Sequence, residues 1–356
     1  MTQRSNRTRA TIEDVANAAN VSVATVSRAL RGLPNVAPST RARISEVATA
    51  MHYRADPAAA RLAAGRTRTI VVVVPHLAGW YFSTVVAGVE AVCAETGYDC
   101  IVMAVGTIEE SNRLLDETYH LERRIDGVVL VNIPISEAQA RSLAERGVSC
   151  STIGVRVGHQ PNVSIDDVTA ARLAVDHLIQ LGHRRIALIS GQVEDPMNFE
   201  VPKMRRRGYA GALEAGGIGI DDALVEAGNF GIDGGREAMA ALLDRPSPPT
   251  AVFAMSDEMA FGALMTLQER DLTAGRDVSL VGIDDHDVSR VLGLTTVRQH
   301  VAEQGALACR GLMAAIESPT AQFETIRSPV ELVVRSTTSP PPVGITSMGA
   351  QTSRLS

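Results

Sequence analysis

The sequence predicts an N-terminal all-α helix-turn-helix headpiece followed by an α/β core of two doubly wound parallel-sheet lobes. Three observations carry that expectation. Residues 11–33, TIEDVANAANVSVATVSRALRGL, read as two short helices joined by a tight turn. From residue 70 onward, Val/Ile-rich runs alternate with helical segments, the pattern of parallel sheets covered on both faces. At 356 residues the chain is long enough for two or three domains, and this stretch is too long for one such sheet of usual size. Two similar lobes with a cleft between them are expected.

Within the headpiece, Thr11 caps the first helix and Asp14 stands at the capping-box position. Ile12, Val15, Ala16 and Ala19 share one helical face. The chain must then break sharply. Asn20 is the residue there that best tolerates the left-handed conformation after glycine. Ser22 caps the second helix, which turns Val26, Ala29 and Leu30 inward and leaves Val23, Ala24, Ser27 and Arg28 outside. A third helix follows, with Pro38 at its start and Ile44, Val47, Ala48 and Met51 at helical spacing. The outer residues of the second helix occupy the positions that meet base edges in the major groove. The competing reading is a three-helix knob that merely caps a domain.

Charge favours the DNA reading. Residues 1–66 hold ten arginines against Glu13, Asp14, Glu46 and Asp56, a net of +6. The whole chain is −6, so residues 67–356 carry −12. A basic arm on an acidic body suits phosphate contacts whose affinity falls steeply with salt. Composition is that of an ordinary globular protein, with 45% hydrophobic and 21% charged residues. The N-terminus MTQRSNRTRAT has no apolar stretch, so no secretory signal is expected, and no run approaches a membrane span. The four cysteines are scattered without metal-ligand spacing, as for buried thiols in a reducing cytoplasm. No metal and no cofactor is expected.

The expected domains are a headpiece over 1–55, a hinge helix and linker over 56–68, and a core over 69–337. In the hinge, Pro57, the following alanines and Gly65 outline a helix of about two turns, too short to stand alone in water. The alternative there is a flexible linker. Core strands are expected at 70–74, 100–105, 127–131, 148–153, 185–189, 251–254 and 279–283. The N-lobe should take 69–163 and 294–322, and the C-lobe 164–290 and 323–337. The Ser/Thr/Pro/Gly-rich tail, 338–356, is expected to be disordered and holds no leucine heptad.

An ordered set of motifs runs through the chain: TIEDVANAANVSVATVSRAL, DPAAARLAAGRT, WYFSTVVAGVEAV, RRIDGVVLV, HLIQLGHRRIALISG, RRRGYAGAL, PTAVFAMSDEMAFGAL, DVSLVGIDD and LTTVRQ. In that order it resembles the lactose-repressor/galactose-repressor family of bacterial transcription regulators, over about 11–337. The resemblance implies a periplasmic-binding-protein-like core behind the headpiece. It implies that Val23, Ala24 and Arg28 read bases, and that Thr25 and Ser27 hold phosphate beside the capping Ser22. It also implies that Leu62 wedges into the minor groove at the operator centre. Arginine donates two hydrogen bonds to guanine, worth roughly 1–3 kcal/mol of discrimination, and an apolar wedge kinks the duplex. Two departures stand out: Ala60-Arg61-Leu62 has its arginine one residue later than usual, and Asn20 replaces the usual glycine.

Ligands of open parallel sheets bind beyond the carboxyl ends of the strands. Trp80, Tyr81 and Phe82 follow the first expected strand, in a chain with only twelve aromatics. Ser256 and Asp257 follow AVFAM, and Asp284 ends VGID. The resemblance adds Tyr81, Phe82, Arg205 and Phe230 as effector contacts. Carboxylates and arginine around aromatic faces suit a polyhydroxylated ligand. Each residue has a plainer reading: Asp257 and Asp284 as helix caps, Arg205 in a surface ion-pair cluster, Phe230 and Trp80 in the core. The segment GQVEDPMNFEVPKM before Arg205 is longer than usual for the family.

Two other classes of function meet contrary residues. The single lysine, Lys203, lies in no phosphate loop, and neither G-x-G-x-x-G after the first strand nor G-x-S-x-G is present, which argues against an enzyme. A transport-type sugar-binding protein would show a signal peptide and no headpiece. The expectation is therefore a cytoplasmic, nucleoid-associated bacterial repressor. It binds a palindromic operator in double-stranded DNA as a homodimer, without membrane contact, and answers to a small carbohydrate-like effector.

Overall fold

The structure is a computed structural model and describes residues 10–30, 32, 34–53, 66–116, 124–191, 197 and 199–342. Residues up to Arg68 and those from Thr69 onward form separate compact units.

The first unit holds α1 (Ile12–Ala18), α2 (Val23–Leu30) and α3 (Pro38–Ala50). Thr11 and Asp14 close a reciprocal capping box, and those hydrogen bonds hold the Asp14 carboxyl below its usual range. Asn20 sits at φ 51°, in the left-handed region that the tight turn requires. Val15, Ala16, Ala19, Val26, Ala29, Ile44 and Ala48 form the buried centre of the three-helix unit. Arg41 donates to the Ala29 carbonyl at 3.1 Å, so one of the headpiece arginines ties α3 to the end of α2. The hinge residues from 54 to 65, Leu62 included, lie outside the described residues.

The second unit contains two sheets. The first lobe is built from β1 (Thr69–Val74), α4 (Trp80–Thr96), β2 (Asp99–Ala104), α5 (Ile108–Leu115), β3 (Gly127–Val131), α6 (Glu137–Glu145), β4 (Ser149–Ile153) and β5 (Asn162–Ser164). The chain then crosses to the second lobe. There it forms α7 (Asp167–Gln180), β6 (Ile186–Ser190), α8 (Glu200–Ala215), β7 (Val225–Ala227), α9 (Ile232–Leu243), β8 (Ala251–Ala254), α10 (Asp257–Glu269), β9 (Ser279–Asp284), α11 (Asp287–Leu292) and β10 (Thr295–Arg298). It returns for α12 (Val301–Glu317) and β11 (Thr325–Arg327), and crosses a third time to β12 (Glu331–Val333).

Strand order is β11-β5-β4-β3-β1-β2 in the first sheet and β12-β10-β9-β8-β6-β7 in the second. All pairings are parallel except β10 with β12. Central strands such as TIVVVV and GVVLV are buried on both faces, which is why they read as unbroken apolar runs. Helix α4 packs directly on α12: a Cβ at Gly88 would stand 1.9 Å from the Ala302 carbonyl oxygen, so only glycine allows that approach.

Three boundaries differ from the sequence expectation. Strand β10, assigned by sequence to the first lobe, adds to the second sheet beside β9. Strand β11, assigned to the second, pairs with β5 in the first. The expected lobe boundary between 163 and 164 falls inside β5, whose Asn162 and Val163 pair with β4 in the first sheet. The tail expected to be disordered from 338 is instead anchored at its start. His177 Nε2 lies 2.9 Å from Thr338 Oγ1, and His183 Nε2 lies 2.8 Å from the Ser339 carbonyl oxygen. Two of the four cysteines meet in space, with Cys93 and Cys309 Sγ atoms 3.8 Å apart. Among the described residues, no helix is long and apolar enough to cross a membrane.

Candidate functional site

Helix α2 presents Ser22, Val23, Ala24 and Arg28 to solvent, while Thr25 and Ser27 are half-buried. Val23 is 41% exposed, high for an apolar residue on a small domain. Ser22 Oγ accepts from the Thr25 N–H at 3.2 Å and shares a 2.8 Å hydroxyl contact with Thr25 Oγ1. The cap and the neighbouring hydroxyl thus form one unit at the start of the helix. All six described residues expected to face DNA lie on α2 or at its cap.

In the second unit a cleft of about 110 Å³ opens where the lobes meet. The three crossings explain its position, because β5 to α7 delivers Ser164, Ile165 and Asp167, and β10 to α12 delivers Gln299 and Gln304. Six of the seven expected effector residues line it: Tyr81, Phe82, Arg205, Phe230, Ser256 and Asp284.

Arg205, on α8, is only 5% exposed. Its Nε donates to Asp167 Oδ1 at 2.8 Å, and another guanidinium nitrogen donates to the Met255 carbonyl. A surface ion-pair cluster is therefore excluded for this side chain. Asp284 ends β9 at φ 138°, a conformation unusual for a non-glycine residue and of the kind that collects at functional sites. Its Oδ1 accepts from Gln299 Nε2 at 2.5 Å and its Oδ2 from the Asp257 N–H at 3.3 Å. Burial raises its pKa above the ordinary carboxylate value, against the pull of Arg205.

Tyr81 and Phe82 meet edge-on at 5.3 Å, and His76 stands edge-on to Phe82 at 4.7 Å. Burial also raises the Tyr81 hydroxyl, so it remains a neutral donor and acceptor near Asn132. Phe230 adopts a left-handed backbone at φ 55°, and its ring lies over Gly191, where a Cβ would come within 2.2 Å. It lines the cleft and packs on the second-lobe core at once. Ser256 caps α10 by accepting from the Met259 N–H.

Asp257 is the correction. It is 0% exposed and does not line the cleft. Its carboxylate accepts from Ser289 Oγ at 2.6 Å, Thr296 Oγ1 at 2.6 Å and the His286 N–H at 2.9 Å. It joins α10, α11 and β10 behind the site. Trp80 does not line the cleft; it packs partly buried against the first-lobe core and stacks on His286 of the second lobe.

The sequence reading missed Asn132, Asp167, Glu258, Gln299 and Gln304 as lining residues. Asn132 directly follows β3, a strand the sequence reveals, so the strand-end rule already points to it; Gln299 follows β10, which the sequence does not reveal. Phe199, Val201 and Pro202 also line the cleft, from the segment expected to be unusually long; its last part is the first turn of α8.

A helix-turn-helix unit joined to a two-lobed α/β core with a polar, aromatic-walled cleft defines the class of ligand-responsive, DNA-binding transcription regulators. Residues 11–56 match the bacterial regulatory proteins of the lacI family, and residues 175–338 match the periplasmic binding protein-like domain. The HTH-type transcriptional repressor CytR of Escherichia coli K12 is 33% identical over 347 residues, covering 95% of this chain and 99% of that repressor. The structure of the transcriptional regulator CelR in complex with cellobiose aligns with a TM-score of 0.66 at 31% identity, covering 92% of this chain and 100% of that one. The lac repressor dimer bound to operator and an anti-inducer aligns with a TM-score of 0.80 at 26% identity, covering 93% and 100%. The chain belongs to the lacI family of bacterial regulatory proteins, which are transcription regulators and not enzymes or transport proteins.

Proposed function

We propose that this regulator is a repressor that binds a palindromic operator as a homodimer and releases or tightens its grip when a carbohydrate-like effector enters the cleft. The observation that carries this is the Arg205–Asp167–Asp284 group, with Arg205 and Asp284 buried and Asp167 half-buried, walled by Tyr81, Phe82 and Phe230. Paired polar groups read hydroxyls, and the aromatic walls shield the apolar face of a sugar ring. The CelR complex holds cellobiose and the lac repressor complex is a dimer on operator, which supports the same arrangement here.

On the DNA side, Val23 and Ala24 offer apolar contact to a base edge and Arg28 a bidentate donor pair. Ser22, Thr25 and Ser27 supply hydroxyls at the helix start for phosphate. Leu62, outside the described residues, is assigned the minor-groove wedge on its sequence position alone. A two-fold dimer requires half-sites related by the same symmetry. The setting is the bacterial cytoplasm, with the protein on the nucleoid.

The test is selection of duplexes from a random library, followed by gel-shift titration at moderate ionic strength with and without sugars. A palindrome preferred by at least a hundredfold over random duplex, with affinity moved by one of the sugars, is expected. Equal binding to palindrome and random duplex in every condition overturns the reading.

A further inference from the structure

We propose that the cleft accepts an uncharged polyhydroxylated ligand and turns away the phosphate ester of that same ligand; this rests on the reading of the cleft as the effector site. Sugars and their phosphates share every hydroxyl but one, so the distinction must come from charge.

Among the described lining residues Arg205 is the one permanent cation, and its charge is already countered. Asp167 takes its Nε at 2.8 Å, the Met255 carbonyl takes a second nitrogen, and Asp284 faces it electrostatically. Three carboxyl groups line the same space: Asp167, Glu258 and Asp284. Burial raises Glu258 and Asp284 above the ordinary carboxylate value. Whether or not either keeps its proton, no unpaired positive charge is left over. The 191–199 connection contributes Glu194 and Asp195 to the sequence and no lysine or arginine. Lys203 is exposed and paired with Glu200 at 2.8 Å.

Helix N-termini are the other common seat for a phosphate. Two helices that begin at the cleft, α8 and α12, have no side-chain cap but carry Glu200 and Glu303 in their first turns, and Pro202 removes one N–H from the start of α8. Three others meet the protein's own carboxylates directly. The Trp80 N–H at the start of α4 is bonded by Glu258. Asp166 accepts from the Thr169 N–H of α7 at 3.0 Å. Asp284 accepts from the Asp257 N–H of α10. A phosphate dianion entering this space would lose its hydration without gaining an unpaired permanent cation, and every helix start it could reach already carries or faces a carboxylate. A desolvated, unpaired charge is strongly unfavourable. A neutral polyol meets the opposite situation. Carboxylates accept from its hydroxyls, and the amides of Asn132 and Gln299 supply donors, while Gln304 is held by the Gln299 carbonyl and amide oxygens.

The experiment is isothermal titration calorimetry and thermal shift on the full chain with matched pairs. These are D-ribose and ribose 5-phosphate, D-glucose and glucose 6-phosphate, and cytidine and cytidine 5′-monophosphate. The neutral member of at least one pair should bind, and its ester at least tenfold more weakly. Glu258→Gln, which removes one carboxylate charge while keeping an amide oxygen for the Trp80 N–H, should narrow that ratio at least threefold. An ester that binds as tightly as its parent, or a ratio unmoved in Glu258→Gln, overturns the inference while leaving the effector site standing. If no member of any pair binds, the cleft is not a sugar site and both readings fall.

Discussion

Trp80, in the first turn of α4, stacks on His286 of the opposite lobe, with ring centroids 4.7 Å apart and planes inclined by 31°. Phe261 meets the same imidazole edge-on at 5.1 Å. The Trp80 N–H is bonded by Glu258, also on the second lobe. The lobes are thus clasped beside the cleft by one aromatic stack and one hydrogen bond, and the imidazole in the stack is fixed from behind. His286 Nδ1 accepts from the Val288 N–H at 3.0 Å, and the His286 backbone N–H donates to Asp257.

Because the chain has a single tryptophan, its emission reports that clasp directly. An effector that moves the lobes should change the intensity or wavelength of Trp80 fluorescence in a saturable titration. An aromatic pair contributes about 0.5–1.5 kcal/mol beyond burial. Trp80→Leu should therefore change apparent effector affinity by roughly two- to tenfold, measured by calorimetry, with operator affinity in the absence of effector little altered. Identical affinity in parent and variant would remove the clasp from the response.

Replacing Arg205 by Ala leaves Asp167 and the Met255 carbonyl facing each other without their shared partner. Removing one member of a buried ion pair costs about 3–5 kcal/mol. The variant should melt lower, lose its effector response and still bind operator, since the headpiece is a separate compact unit. Gel shift with and without effector checks this, and a normal response would place Arg205 outside the binding event.

The sequence announced these units unequally, for physical reasons. Headpiece helices were legible because Val15 with Ala19, Val26 with Ala29, and Ile44 with Ala48 repeat at helical spacing around one small core. Asn20 was legible because few residues other than glycine adopt its φ of 51°. Long buried strands announced themselves as apolar runs, whereas β5, β10, β11 and β12 are three or four residues long and too short to show any period. Missing β10 and β11 displaced the lobe boundaries and hid Gln299. Asp257 and Asp284 look alike in sequence, each at a strand end or helix start. Only the fold shows that Thr296 and Ser289 claim the first, while the second is turned into the cleft.

The anchored start of the tail should make stability acid-sensitive. Burial holds the His177 and His183 imidazoles below their ordinary value of 6.5. The folded chain therefore binds these protons less readily than the unfolded chain. Their contribution is complete above about pH 6.5 and is lost as pH falls toward the folded-state value. Raised carboxylates such as Asp284 act in the opposite sense, so the informative quantity is a difference. His183→Asn should melt below the parent at pH 7.5 and lie closer to it at pH 5.5. Limited proteolysis near Ser339 should accelerate in the parent over the same interval. A parent-to-variant gap that is constant with pH would exclude His183 as the acid-sensitive anchor.

Asp257 provides the sharpest separation of scaffold from site. Its carboxylate satisfies two hydroxyls and one backbone N–H at full burial, and burial raises its pKa. In Asp257→Ala, Ser289 Oγ, Thr296 Oγ1 and the His286 N–H lose their acceptor together. Each hydrogen bond to a charged group is worth about 1.5–3 kcal/mol, so the loss should be several kcal/mol and the clasp under Trp80 should loosen with it. In Asp257→Asn the remaining carbonyl oxygen can still accept from His286 and Ser289, and the amide can donate to Thr296, whose hydroxyl turns to receive it. Most of the stability should return. Trp80 emission should resemble the parent in Asp257→Asn and shift in Asp257→Ala, while effector affinity in the Asn variant stays within about threefold. An Asn variant that folds normally but no longer binds effector would mean that Asp257 touches the ligand after all.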